Sequence, residues 1–144
     1  MKRDYFSVLK SYAKFLRSQT NVQPVFLPSE VSSEKFHVEL SLLSHPTIVG
    51  NGRVKFRVRA TAVAEIPPSE KAINDCLEKS IALGIFFDEA QGFPIDEEKR
   101  IYGIAYHQAL RDDDEAFADL VEPRSYSFRE TWLCELEFNL ADFE

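Results

Sequence analysis

Near the start of the chain the apolar residues fall at helical spacing. Tyr5, Val8, Leu9, Tyr12 and Leu16 share one side, widened by Phe6, Ala13 and Phe15, while Lys10, Lys14 and Arg17 occupy the other. The spacing predicts an amphipathic helix from Asp4 to about Ser18, with Asp4 and Arg17 placed to suit the helix dipole. A basic amphipathic helix can lie on a membrane surface, but more often it packs on a sheet, and that is the reading here, with no membrane partner expected. Pro24 and Pro28 then bracket Val25-Phe26-Leu27, which reads as an edge strand or an extended linker.

Period-two alternation follows. Phe36, Val38, Leu40 and Leu42 alternate with His37, Glu39 and Ser41, the pattern of a half-buried strand. His45-Pro46 ends it, and Gly50-Asn51-Gly52 supplies a turn suited to positive φ. The strongest strand comes next: Val54, Phe56, Val58, Ala60, Ala62 and Ala64 face one way, Arg53, Lys55, Arg57, Arg59 and Thr61 the other, and Val63 breaks the rule. These two strands and the Ser44–Gly52 connection form a long β-hairpin. Its tip carries Ile48, Val49 and Asn51, with little to pack against locally. The tip is therefore expected to be flexible in the free subunit and ordered by a partner.

Pro67-Pro68-Ser69 stops the strand and starts a helix, with Ser69 as N-cap, a buried stripe of Ile73, Cys76, Leu77, Ser80 and Ile81, and Gly84 as the terminating residue. Ile85-Phe86-Phe87 suggests a short strand and Gly92-Phe93-Pro94 a loop, and Arg100 to Tyr106 reads as a strand rather than a helix. Asp112 to Glu115 looks like the acidic first turn of a helix carrying Ala116, Phe117, Leu120 and Val121, which Pro123 ends. Tyr126 to Leu140 alternates again, with Trp132, Cys134, Leu136, Phe138 and Leu140 inward and Glu135, Glu137 and Asn139 outward. The order of elements makes residues 1–144 a single α+β domain: an antiparallel β-sheet with a long β-hairpin and helices packed on one face.

Length and composition agree with this. A chain of 144 residues with 44% hydrophobic side chains, 12 of them Phe, can sustain a core. Cys76 and Cys134 fit no zinc or CxxC spacing, and Cys76 reads as a buried small hydrophobe. No apolar run suits a membrane span and the charged opening does not read as a secretory signal, so a soluble domain made inside the cell is expected.

Charge changes the picture more. The net charge is -7, yet residues 1–65 carry a balance of +5 and residues 66–144 one of -12. Such a bipolar subunit can dock its basic half on the acidic half of a neighbour. The overall acidity argues against sequence-specific nucleic-acid binding. Catalytic chemistry is hard to find: His37, His45 and His107 are scattered, and no nucleophile elbow, Walker loop or dinucleotide fingerprint is present. The acidic run at Asp112 lacks the glycine and distal glutamate of an EF-hand. No enzyme activity, cofactor or metal is expected.

One question remains open at this level. If the strands bearing Arg53, Lys55, Arg57 and Arg59 and Glu135 and Glu137 are sheet neighbours, the two rows form a solvated ladder. If they are not, the cations need an external anion, and the acidic half of another subunit would supply it.

In layout the chain resembles the phage tail terminator family. The resemblance rests on the opening helix, the extended piece Pro24–Pro28, Phe36-His37-Val38-Glu39-Leu40 with its polar hairpin tip, and the long strand Arg53–Ala64. The passage Glu65-Ile66-Pro67-Pro68-Ser69-Glu70 into a helix and the closing strand with Trp132 complete it. Residues 85–110 are longer than the family's usual connection. The resemblance implies a hexameric ring that caps the tail tube, stops its growth and offers the head-joining surface. Its partners would be further copies of itself, the tail tube protein and a head-completion or neck protein, in the virion tail and in the host cytoplasm during assembly. The alternative is a type III secretion chaperone, an acidic dimer that wraps an unfolded effector. The pI near 5.0 suits it, but such chaperones usually close with a helix.

Overall fold

A computed structural model describes residues 4–27, 32, 34–97, 100–111, 117–119 and 126–143. Helix α1 (Phe6–Thr20) leads to β1 (Gln23–Phe26), β2 (His37–Leu42), β3 (Thr47–Gly50) and β4 (Arg53–Ile66). Helix α2 (Glu70–Asp88), β5 (Gln91–Glu97), β6 (Arg100–Arg111), β7 (Phe117–Asp119), β8 (Tyr126–Asn139) and a short 3-10 turn (Leu140–Phe143) follow. The strands form one sheet of order β1-β2-β4-β8-β6-β5, with β3 added to β4 and β7 to β8. Every pair is antiparallel except β1 with β2. The fold is thus α+β around a mostly antiparallel sheet, with both helices on one face.

Alternation places the core. Val54, Phe56, Val58, Ala60, Ala62 and Ala64 of β4 and Phe128, Trp132, Cys134, Leu136 and Phe138 of β8 are buried beneath the helices. From α1 come Val8, Leu9, Tyr12, Ala13 and Leu16, as the helical spacing requires, although Tyr5 and Phe6 remain 40% and 45% exposed. The small side chains Ala60, Ala62 and Ala64 leave room above them, and Phe87 of α2 stacks on Trp132 at 4.5 Å between centroids. Burying each such large apolar side chain contributes ~1.5–3 kcal/mol.

Both edge strands carry a proline, Pro24 in β1 and Pro94 in β5, which blunts them against stray pairing. Helix α1 also covers β5: the Asp96 amide donates to Ser11 Oγ at 3.0 Å, and Lys14 Nζ lies 2.9 Å from Asp96 Oδ2. The helix runs two residues past Ser18, and Asn21 closes it in the left-handed conformation (φ 57°), its amide bonded to the Arg17 carbonyl.

Several expectations need correction. Ser69 caps α2 as expected, accepting from the Ala72 amide. Gly84 does not end that helix, however, and Ile85-Phe86-Phe87 is its last turn rather than a strand. A glycine inside a helix costs about 1 kcal/mol, less than burying Phe86 and Phe87 contributes. Those two phenylalanines also set the rotation of the helix. Cys76, Leu83, Phe86 and Phe87 are buried, whereas Leu77 and Ile81, expected inside, are 42% and 62% exposed. Gly92-Phe93-Pro94 lies in β5, not in a loop, and β6 continues past Tyr106 to Arg111. Phe117–Asp119, assigned to a helix, is strand β7 paired to β8. Asp112 to Ala116, Leu120, Val121 and Pro123 lie outside the described residues. Leu42, expected inside, is 60% exposed because no helix covers that end of β2.

Candidate interaction surface

The open question about the two charged rows is answered by the register. Strands β4 and β8 are paired from Arg53 with Asn139 to Ile66 with Tyr126, so Lys55 faces Glu137 and Arg57 faces Glu135. On the helix-free outer face Arg53 Nε lies 3.1 Å from Glu137 Oε1, Lys55 Nζ 3.1 Å from Glu135 Oε2, and Arg57 Nε 3.6 Å from Glu135 Oε1. A hydrogen bond from Lys55 holds the Glu135 carboxyl below its ordinary range, with Gln108 and Arg57 adding to the effect. The row is therefore a cross-strand ladder whose charge is largely taken up within the chain. It does not need an external anion at Arg53, Lys55 or Arg57.

Arg59 is different. It faces Leu133 on β8 and Ser41 on β2 and has no carboxylate partner among the described residues. Leu133 pairs in turn with Leu110 of β6, which is 76% exposed. Here the outer face holds a shallow groove of about 330 Å³ between Arg57, Gln108, Leu110, Leu133 and Glu135. Toward the β5 edge the ring of Tyr106 lies over Gly92, where an added Cβ would come within 3.2 Å of it, and takes the Arg53 guanidinium at 5.8 Å.

The hairpin tip lies beside the end of this ladder, where β3 pairs with Arg53 to Lys55 and the Leu140 amide bonds the Gly52 carbonyl at 2.8 Å. Positive φ at Gly50 (103°), Asn51 (52°) and Gly52 (74°) makes the tight turn, and β3 pairs back on β4. All four β3 residues are exposed, with Ile48 at 71% and Val49 at 49%. The tip is thus a small ribbon rather than an irregular loop, and Ile48 pairs with Val54, which puts it on the helix-bearing side rather than on the ladder's face.

Two polar groups that the sequence pattern did not single out lie under the helices. His107 of β6 is buried, stacked on Phe86 at 4.8 Å, with Tyr12 Oη 3.4 Å from Nδ1 and no partner for Nε2 among the described residues. Burial lowers its pKa to about 4, and raises those of the neighbouring Tyr12 hydroxyl and, to about 12, the Cys134 thiol. Burial thus favours the neutral form of all three. Glu130, on the same face, accepts a hydrogen bond from Ser80 Oγ at 2.7 Å, and burial with the Glu130 charge pushes the Cys76 thiol up to about 11. The parity of Gly103, Ala105, His107 and Ala109 along β6 is the available signal: His107 shares its face with small residues, which mark a covered surface.

His37 is half-buried, with Nδ1 3.2 Å from the Glu34 carbonyl oxygen and Nε2 3.2 Å from Glu39 Oε2. His45 is exposed, and nothing brings the three histidines together. Among the described residues no three His, Cys, Asp or Glu side chains converge as a metal cluster, and no helix is long and apolar enough to cross a membrane. Comparison with protein-family models and with curated proteins finds no match.

Proposed function

We propose that the chain is a ring-forming structural protein of the phage tail terminator kind, which caps the tail tube and presents a surface for head joining. The observation that carries this reading is the sheet itself. One face is covered by helices, while the other carries the charged ladder and the Leu110–Leu133 groove, with Thr61 and Thr131 buried farther along it, and strand β3 at the end of the sheet exposes Ile48 and Val49. Surfaces of that kind on opposite sides of one subunit suit contacts that differ from side to side, and such contacts close into rings when the rotation permits. In this reading the tip meets the tail tube or a head-completion protein, and the protein works in the virion tail after assembly in the host cytoplasm.

Mass in solution together with negative-stain imaging tests the proposal, first for the protein alone and then with tail tubes. Rings of six, free or seated on tube ends, are the expected result. A tight dimer that keeps an unfolded polypeptide soluble would overturn it in favour of a secretion chaperone.

A further inference from the structure

Helix α2 bears a second apolar stripe on the side away from the sheet. Leu77, Ile81 and Ile85 recur every four residues and are 42%, 62% and 61% exposed, forming a continuous ridge. Glu70, Glu78, Asp88 and Glu89 lie along or beside the ridge, against a single Lys71, so its rim is acidic. An apolar helical ridge is costly to leave in water, which makes it a candidate contact surface. Pairing the ridge with its own copy would bring like charges together.

The outer sheet face around Leu110 has the complementary character. Its groove is floored by Leu110 and Leu133, and beside it stand Arg59, which has no carboxylate partner among the described residues, and Arg57, which shares Glu135 with Lys55. Groove and ridge lie on opposite sides of the subunit, since α2 covers the inner face.

We infer that the occupant of the α2 ridge is the outer sheet face of a second copy of this chain, with Ile81 and its neighbours seated over Leu110 and Leu133 and the acidic rim set against Arg57 and Arg59. The contact is head to tail, so each subunit uses its ridge once and its groove once. It rests on the ring reading above for closure, but not for the contact itself.

Sedimentation of two surface variants tests it. Ile81→Asp removes the ridge and Leu110→Asp the groove. Both sites are exposed, so melting temperatures should stay at the parent value; Ile81→Gln substitutes if the aspartate variant misfolds. Each variant alone should lose self-association by at least about tenfold, as when a central apolar anchor is charged. Mixed together, they should form dimers and stop there, because one intact ridge meets one intact groove. Added salt should weaken the parent's association. Rings that persist in both variants would sink this contact while leaving the ring reading in place. Open filaments built through ridge and groove would support the contact and sink the ring. A parent chain that stays monomeric at high concentration, or a mixture that fails to dimerise, would overturn the inference.

Discussion

The two faces of the β4–β8 ribbon share one hydrogen-bonded ladder and differ in everything else. On the inner face Phe56 lies beside Leu136, Val58 beside Cys134 and Ala60 beside Trp132, all buried under the helices. On the outer face, one residue along, Lys55 and Arg57 meet Glu137 and Glu135 in water. The inner pairs are removed from solvent together with the helices that cover them, and each large side chain contributes a few kcal/mol. The outer pairs exchange one hydrated arrangement for another, worth ~0.2–1 kcal/mol each. Stability therefore resides on one face, and the other is free to serve contact and solubility.

The largest blow to this contrast should come from Phe87→Ala. It removes the ring stacked on Trp132, and a loss of about 3–5 kcal/mol in urea denaturation is expected. A loss below 1 kcal/mol would mean that the inner face does not carry the stability.

Acid should act on the same face through His107. Its folded pKa of about 4 lies below the ordinary 6.5, so the unfolded chain binds the proton first as pH falls. Stability from this group is complete above pH 6.5, declines as pH drops toward 4, and levels off below. Between pH 7 and pH 5 the loss should be about 2 kcal/mol, and His107→Leu should remove that slope. An unchanged slope in the variant would assign the pH dependence elsewhere.

Ser80→Ala sharpens the picture at its exception, the carboxylate on the inner face. Glu130 loses its hydrogen bond from Ser80 and keeps only the longer Arg111 contact at 3.9 Å, and a cost of about 1–2 kcal/mol is expected from thermal or urea unfolding. No cost would show that Arg111, whose Nη2 lies 3.9 Å from Oε1, or water takes over the carboxylate.

Smallest of all is the outer ladder. Arg57→Glu with Arg59→Glu places like charges beside Glu135 and should lower stability by only about 1 kcal/mol, less at high salt. A drop comparable to that of Phe87→Ala would erase the distinction between the faces.

Much of the framework was legible in the chain. The alternation of β4 and β8 named their inner residues, Asn51-Gly52 named the turn, Ser69 named the cap of α2, and the spacing from Val8 to Leu16 named the buried side of α1. The missed features share a cause. Gly84 signalled an end to α2, yet the burial of Phe86 and Phe87 outweighs a local preference of about 1 kcal/mol. The same burial turned Leu77 and Ile81 outward and so created the apolar ridge. Phe117–Asp119 is too short for its periodicity to separate strand from helix, and its pairing with β8 settled the matter. His107 and Glu130 gave no motif, because what makes them unusual is what lies above them.

The sequence by itself determined which side chains share a face, since a strand sends alternate residues to opposite sides and a helix repeats every 3.6, whatever surrounds them. Tertiary structure decided which strands are neighbours. Arg57 and Glu135 could have been a row in search of an anion and a carboxylate elsewhere; the pairing of β4 with β8 made them a ladder. Backbone geometry acts over a few residues and is written locally, whereas partner choice depends on how the whole chain best buries its apolar surface, a competition that no single segment records.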